Sequence, residues 1–176
     1  KACGVNGIRS MAVNLKKTDP KDWGNDKAPK KDKERVVYEL HVKEFSYDKS
    51  GGFPLEYRGK YKAFTCKHTT LNNDGIHPTG LDYLKELGVT HIQIMPMYDY
   101  GSVDETKDDE FNWGYDPVNY NVPEGSYATD AFHGEVRIKE MKEMIQSIHE
   151  AGFGVIMDVV YNHTYSLDSW FQRTLP

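Results

Sequence analysis

Three runs of apolar and β-branched residues stand out along the chain. They cover residues 36–42, 89–96 and 153–160, and each has the length of a strand rather than of a membrane span. Their apolar character is nearly continuous, which is typical of strands that are covered on both faces. The pattern therefore predicts three buried strands of a parallel sheet.

Two segments between these runs have the spacing of amphipathic helices. The first follows Thr79, which we expect to cap it, and ends at Gly88; the second covers about residues 135–151 and ends at Gly152. Each carries apolar residues on one face: Leu81, Leu84 and Leu87 in the first, and Ile138, Met141, Ile145 and Ile148 in the second. The chain therefore alternates strand, helix, strand, helix and strand.

This order predicts an α/β fold made of the first three βα units of a (β/α)8 TIM barrel, because right-handed crossovers place successive strands in parallel. A complete barrel takes about 250 residues, so three strands fall well short of closure. The last strand would have an unpaired edge. We therefore expect a companion chain that carries the rest of the barrel.

The segment before the first strand predicts the domain organisation. Residues 16–35 are rich in Lys, Asp and Pro, which indicates an exposed linker. The apolar run 11–15 is interpreted as the last strand of a truncated β-rich domain at residues 1–15. Residues 36–176 would then be the N-terminal part of the barrel domain, and both ends of the chain are expected to be cut.

Composition excludes several classes of partner. Lys and Arg number 22 against 27 Asp and Glu, and the net charge of -5 argues against a nucleic-acid partner, which needs a basic surface. A neutral polymer is a more suitable partner than a nucleic acid for a chain with this net charge. No apolar run approaches the roughly 20 residues of a membrane span, so no membrane partner is expected. Cys3 and Cys66 stand far apart and the histidines lack ligand spacing, so no metal site or disulfide framework is predicted.

Candidate chemistry lies directly after the third strand. Asp158, Asn162 and His163 belong to the segment DVVYNHT at 158–164. Parallel α/β folds build their sites at the C-terminal ends of strands, where these residues would supply a carboxylate, an amide and an imidazole. The alternative for His163 is a structural histidine on the rim, hydrogen-bonded to the neighbouring strand.

A second candidate segment is FNWGYDP at 111–117, within the long connection that follows the second strand. Connections of that length tend to carry function. The face of Tyr115 could stack on a sugar ring while Asp116 binds its hydroxyl groups. The alternative is an aromatic turn that packs on the rim of the barrel.

Both segments resemble those of a known family. DVVYNHT is similar to the first signature segment of the α-amylase superfamily, glycoside hydrolase family 13, and FNWGYDP resembles the YNWGYDP segment of type I pullulanases, with Phe111 in place of a tyrosine. The stretches KACGVNGIRSMAVNL and VVYELHVKEFS resemble the junction between a carbohydrate-binding module and the barrel of those debranching enzymes. The resemblance spans essentially the whole chain. It implies a glycoside hydrolase that cleaves α-1,6-glucosidic bonds of pullulan, limit dextrin or glycogen.

The resemblance also implies roles for individual residues. Those that would bind the α-glucan substrate are Trp113, Tyr115, Asp116, Asn162 and His163. His163 would donate a hydrogen bond to the glucose unit beside the cleaved bond, and Tyr115 would stack under the same unit. Asp116 would bind its hydroxyl groups. Asp158 would be a supporting carboxylate rather than the nucleophile.

The residues that cleave the bond are expected elsewhere. In the α-amylase family the nucleophile and the acid/base follow the fourth and fifth strands, and no segment like GFRFD or NHD occurs in this sequence. We therefore assign no catalytic residue to this chain and expect the pair on the companion chain. Two alternatives stay open: a truncated, non-catalytic fragment that binds glucans, and another specificity of the family such as isoamylase or α-amylase.

No cofactor is expected. The acidic run DETKDDE at 104–110 could bind a structural calcium ion, but it lacks the alternating ligands of a DxDxDG loop. A solvated loop is the favoured interpretation.

Overall fold

The computed structural model describes residues 10–30, 34–169 and 174. Its strands are β1 (Val37–Leu40), β2 (His91–Ile94), β3 (Tyr98–Tyr100), β4 (Pro117–Pro123) and β5 (Gly154–Met157). Its α-helices are α1 (Gly80–Glu86) and α2 (Gly134–Glu150). Short 3-10 helices lie at Leu15–Thr18, Trp23–Asn25, Lys49–Gly51, Leu55–Tyr57, Tyr61–Thr65 and Leu71–Asn73. Within the described residues, no helix has the length and apolar character needed to cross a membrane.

The central sheet is parallel and has the order β1-β2-β5. In its register, Ile92 of β2 lies between Tyr38 of β1 and Val155 of β5. Ile92 and Ile94 are fully buried, as expected for the middle strand of a covered sheet. The three predicted strands are therefore confirmed as parallel neighbours, and the arrangement is consistent with part of a barrel. Each strand is shorter than its apolar run, because the ends of each run leave the sheet.

The first helix differs from the prediction in its N-cap and at its C-terminal end. α1 begins where predicted, but the Thr79 side chain does not cap it. The Thr79 hydroxyl instead donates a 2.7 Å hydrogen bond to the carbonyl oxygen of Gly51. Leu81 and Leu84 are buried as predicted, whereas Leu87 is 48% exposed. The helix ends before Leu87, so this side chain lies beyond the packed face.

The second helix packs on the sheet through a face that is shifted from the predicted one. Met144 and Ile148 are fully buried. The other predicted members of the apolar face are only half-buried: Ile138, Met141 and Ile145. Arg137 and Glu140 are buried instead. Charged side chains can occupy this face because they are paired there; Glu140, for example, accepts a 2.8 Å hydrogen bond from the backbone N–H of Thr129.

The connection after the second strand contains an antiparallel pair that the sequence pattern missed. β3 pairs with β4, with register shifts on both sides of Asp99. Prolines 117 and 123 stand at the two ends of β4, and Asn121 within it has a φ of 59°. These features weaken the alternation by which a strand is recognised. The region predicted as a long loop is therefore partly ordered by its own two strands.

The polar segment 16–26, predicted as part of an exposed linker, runs along α2. Most of its residues are exposed, but Thr18 is fully buried. Lys142 of α2 donates a 2.9 Å hydrogen bond to the Thr18 hydroxyl. Nδ1 of His149 lies 2.7 Å from Oδ2 of Asp26. Polar contacts rather than apolar burial tie this segment to the helix.

The strand predicted at 11–15 does not form in the described part of the chain. Leu15 begins a 3-10 helix instead, because the Asn14 side chain caps it by accepting a 3.1 Å hydrogen bond from the N–H of Lys16. The rest of the predicted β-rich domain, residues 1–9, lies outside the described residues, as do residues 31–33, 170–173, 175 and 176.

Candidate active site

The predicted site residues meet at the C-terminal ends of β2 and β5. Asp158 follows β5 directly, and its N–H donates a 3.0 Å hydrogen bond to the carbonyl oxygen of Ile94 at the end of β2. The loop 111–116, which leads into β4, reaches the same end of the sheet through Tyr115. Two segments far apart in the sequence therefore meet at Asp158.

Tyr115 and Asp158 form the central contact. The Tyr115 hydroxyl donates a 2.8 Å hydrogen bond to Oδ2 of Asp158. Partial burial and this bond raise the pKa of Tyr115 to about 12, so the hydroxyl stays protonated at neutral pH. Tyr115 is 40% exposed. The hydrogen bond therefore holds the hydroxyl end of the ring, while part of the side chain remains exposed to solvent.

His163 is held by both of its ring nitrogens. Nε2 lies 2.7 Å from the carbonyl oxygen of Tyr115, which can only accept, so Nε2 carries the proton. Nδ1 then accepts the 2.9 Å hydrogen bond from the side-chain amide of Asn162. His163 and Asn162 are both exposed. A ligand hydroxyl would bind His163 by replacing one of these two exposed bonds.

Asp116 is positioned by a residue that sequence reasoning missed. The Asn112 amide nitrogen donates 2.9 Å hydrogen bonds to Oδ1 of Asp116 and to the carbonyl oxygen of Gly101. Oδ1 of Asn112 accepts from the N–H of Gly114 at 2.9 Å. Asn112 therefore closes the turn that presents Tyr115 and Asp116. The only signal in the sequence is its place inside the FNWGYDP segment.

His41 supports the same turn from the end of β1. Its side chain is buried, and Nε2 lies 2.9 Å from the carbonyl oxygen of Asn112 and 2.9 Å from the hydroxyl of Tyr127. Nδ1 accepts the N–H of Lys43 at 3.2 Å. Burial lowers the pKa of His41, in keeping with a neutral ring. The sequence analysis predicted no metal-binding role for the histidines and did not single out His41, because its partner lies 71 residues away and could not be read from the pattern.

The predicted residues do not all lie in one hydrogen-bonded group. Direct hydrogen bonds join Tyr115, Asp158, Asn162 and His163. Asp116 is connected to the turn through Asn112. Trp113 packs edge-on against Phe111, with ring centroids 5.3 Å apart, and is 59% exposed.

An acidic cluster lies just beyond the end of β4. Asp99, Glu105 and Glu124 place carboxylate oxygens within 4.8 Å of one another. The buried guanidinium of Arg137 donates two hydrogen bonds to Glu105, at 2.8 and 2.7 Å, and supplies positive charge. Burial raises the pKa of Asp99 to about 6 and that of Glu124 to about 7. The acidic stretch 104–110 is therefore more than a solvated loop, since Glu105 joins it to the interior.

The fold and these segments define an α/β chain of the α-amylase class. Comparison with known families agrees, because residues 70–176 match the family described as alpha amylase, catalytic domain. The chain belongs to this family.

Several pullulanases are similar to this chain in sequence and in structure. The pullulanase of Bacillus subtilis (strain 168) is 38% identical over 179 residues, covering 100% of this chain and 24% of that protein. The crystal structure of the pullulanase from Paenibacillus barengoltzii, in complex with maltohexaose and α-cyclodextrin, matches with a TM-score of 0.91 and 46% identity over 100% of this chain and 28% of that one. The pullulanase from Bacillus acidopullulyticus matches with a TM-score of 0.86 and 47% identity over 95% and 20%. The resemblance stated from the motifs is confirmed, and the chain spans about a quarter of the length of these relatives.

Proposed function

We propose that this chain forms the sugar-holding part of a debranching glycoside hydrolase of the pullulanase type, which cleaves α-1,6-glucosidic bonds of pullulan, limit dextrin or glycogen. The observation that carries the proposal is the group Tyr115, Asp158, Asn162 and His163 at the C-terminal ends of the strands, in a chain 46% identical to a pullulanase solved with maltohexaose. An α-glucan is accordingly the proposed ligand.

Each residue has a role that suits its surroundings. The Tyr115 ring stacks under a glucose unit. The hydrogen bond from its hydroxyl to Asp158 holds the side chain in place for this contact. His163 donates to a hydroxyl of the same unit in place of its exposed bond, and Asn162 fixes its tautomer. Asp116 accepts from sugar hydroxyls as a charged acceptor. Exposed Trp113 offers a further aromatic face.

Cleavage by retention needs two carboxyl groups about 5 to 5.5 Å apart, one as nucleophile and one as acid/base. We assign neither role to this chain. A companion polypeptide that completes the barrel supplies both, and the two together are called the completed enzyme below. The reaction needs no cofactor, since carboxyl groups perform both steps.

Native mass spectrometry of the purified protein, combined with an assay of pullulan against linear amylose, tests this proposal. We expect the 20.2 kDa chain to travel with a partner large enough to complete the barrel, and the complex to hydrolyse pullulan. A folded chain that has no partner and does not hydrolyse pullulan would favour a non-catalytic glucan-binding fragment. Hydrolysis of amylose with pullulan left intact would favour an ordinary α-amylase.

A further inference from the structure

The loop that carries His163 is attached to the β3–β4 pair along its length. We call residues 161–165 the His163 loop. The Tyr120 hydroxyl, on β4, donates a 2.8 Å hydrogen bond to the carbonyl oxygen of His163. The N–H of Tyr165 donates a 2.8 Å bond to the carbonyl oxygen of Pro117, at the start of β4. The rings of Tyr120 and Tyr161 lie 5.6 Å apart.

A close approach at the end of β3 adds to this attachment. Gly101 is buried, and a methyl group at this position would overlap the ring of Tyr165. The ring can therefore lie against the backbone only because residue 101 has no side chain. The N–H of Gly101 also donates a 3.1 Å hydrogen bond to the carbonyl oxygen of Asp116. The His163 loop and the turn that carries Asp116 thus share one support.

The Tyr120 contact acts on His163 itself. The main-chain carbonyl of His163 accepts from Tyr120, and the side-chain Nε2 of the same residue donates to the carbonyl oxygen of Tyr115. The Tyr120 bond fixes the peptide plane of His163, and the Nε2 bond is the one that a sugar hydroxyl replaces. The bonds from Tyr120 and Asn162 are therefore the ones that hold His163 when sugar is bound. Since His163 is exposed, burial contributes little to its orientation.

We infer that Tyr120 is a positioning residue for the sugar contact of His163: its hydroxyl holds the His163 carbonyl and so sets the direction of the imidazole. This inference rests on the proposed function, in which His163 binds the glucose unit beside the cleaved bond. In this inference Tyr120 acts through His163 rather than by a substrate contact of its own. A positioning residue affects hydrolysis only through the His163 ring. A residue that only stabilised the fold would affect hydrolysis whether or not the ring is present.

The test is Tyr120→Phe in the completed enzyme, with Tyr61→Phe as the matched control. Tyr61 is fully buried, and its hydroxyl also donates to a backbone carbonyl oxygen, that of Glu124, at 3.2 Å. Each variant therefore removes one tyrosine hydroxyl from one backbone acceptor, but only Tyr120 contacts the His163 loop. Hydrogen exchange over residues 161–165 and steady-state hydrolysis of pullulan are measured for both.

Tyr120→Phe should raise hydrogen exchange over residues 161–165 and lower kcat on pullulan by about five- to tenfold, as the loss of one hydrogen bond implies. Tyr61→Phe should leave both quantities at the wild-type level even where it lowers Tm. In a His163→Ala background, Tyr120→Phe should cause no further loss of kcat, because no imidazole is left to position.

Unchanged exchange in Tyr120→Phe overturns the inference, and so does an equal loss of kcat with or without the His163 imidazole. An active wild type whose kcat is unaffected by Tyr120→Phe also overturns it. A wild type that does not hydrolyse pullulan overturns the proposed function and the positioning role with it. The exchange measurement does not depend on activity, so it then reports separately whether the Tyr120 contact holds the loop.

Discussion

The Tyr115 hydroxyl donates a 2.8 Å hydrogen bond to Oδ2 of Asp158, and this bond joins the turn before β4 to the end of β5. The two residues are 43 positions apart in the sequence. The bond holds the hydroxyl end of the Tyr115 ring in place and leaves the ring face free. Under the proposed function, Asp158 supports sugar binding through Tyr115.

Tyr115→Phe separates the ring from its hydroxyl. The variant keeps the aromatic face and loses the bond to Asp158, so we expect kcat on pullulan to fall about tenfold in the completed enzyme, in line with one hydrogen bond to a charged acceptor. Tyr115→Ala removes the face as well and should lose substantially more. Equal losses in the two variants would contradict a stacking role for the ring.

His163→Ala should lower turnover on pullulan by about 100-fold, the scale seen when one preorganised donor beside the reacting bond is removed. The side chain is exposed, so folding should be unaffected. His68→Ala is a suitable control, because His68 is also exposed and pairs with Asp82 on α1. Steady-state kinetics with circular dichroism checks both points; turnover at the wild-type level would rule out the assigned role.

Asn112→Asp should disrupt the turn more than Asn112→Ala. The new carboxylate would face two acceptors that the amide now serves, the carbonyl oxygen of Gly101 and Oδ1 of Asp116, each 2.9 Å away. We expect the free energy of unfolding to fall by about 2 to 3 kcal/mol for the Asp variant. Thermal unfolding of the completed enzyme measures it. Equal destabilisation by both substitutions would show that repulsion between the new carboxylate and these two acceptors adds nothing to the loss of the amide donor.

The raised pKa of Glu124 predicts that the free energy of unfolding decreases as pH rises. It is fully buried, and burial raises its pKa in the folded state from 4.5 to about 7. Between these values the folded state keeps a proton that the unfolded state has released, so the free energy of unfolding falls with rising pH and levels off above the folded pKa. The contribution of Glu124 to Tm should therefore be larger near pH 5 than near about pH 8.

Glu124→Gln is the variant that isolates this contribution. Exposed acids with lowered pKa values, such as Asp74, change stability in the opposite direction at lower pH, so the difference between wild type and variant is the informative quantity. We expect Tm of the wild type to fall more steeply than that of the variant between about pH 5 and about pH 8. Parallel Tm curves would contradict a raised pKa.

The chain on its own should be insoluble or molten. In the described sheet, β1 and β5 each pair on one side only. Next to the free edge of β1, large apolar residues are exposed: Val36 by 47%, Val37 by 46% and Tyr38 by 39%. Open edges of this kind favour association with other chains. Near-UV circular dichroism and a thermal scan test this, and a sharp transition of a monomer would contradict it.

The sequence predicted the elements whose pattern is local. The three strands were recognisable from continuous apolar runs, and Gly88 and Gly152 adopt the left-handed φ values, 74° and 95°, that were expected beyond each helix. The proximity of Tyr115 and Asp158 could be expected, because the segments that carry them follow β2 and β5, which pair in parallel. In each case a few adjacent residues carry the signal.

The features that escaped prediction depend on distant partners. Arg137 lies on the buried side of α2 because Glu105, 32 residues earlier, neutralises it. β4 was hidden by its prolines and by the αL residue Asn121. Asn112 and Tyr120 have no local pattern that marks them, since their roles come from contacts with Asp116 and with the His163 loop. Periodicity alone does not contain that information.

The contact between Gly101 and Tyr165 constrains the order in which these positions can change during evolution. Any side chain at residue 101 would overlap the ring of Tyr165, so a substitution at residue 101 would displace Tyr165 in the loop that carries His163. A smaller residue at 165 leaves room for a later side chain at 101, whereas the reverse order passes through an overlapping intermediate. The two positions are therefore expected to covary among related sequences, with glycine at 101 wherever 165 is a large aromatic residue.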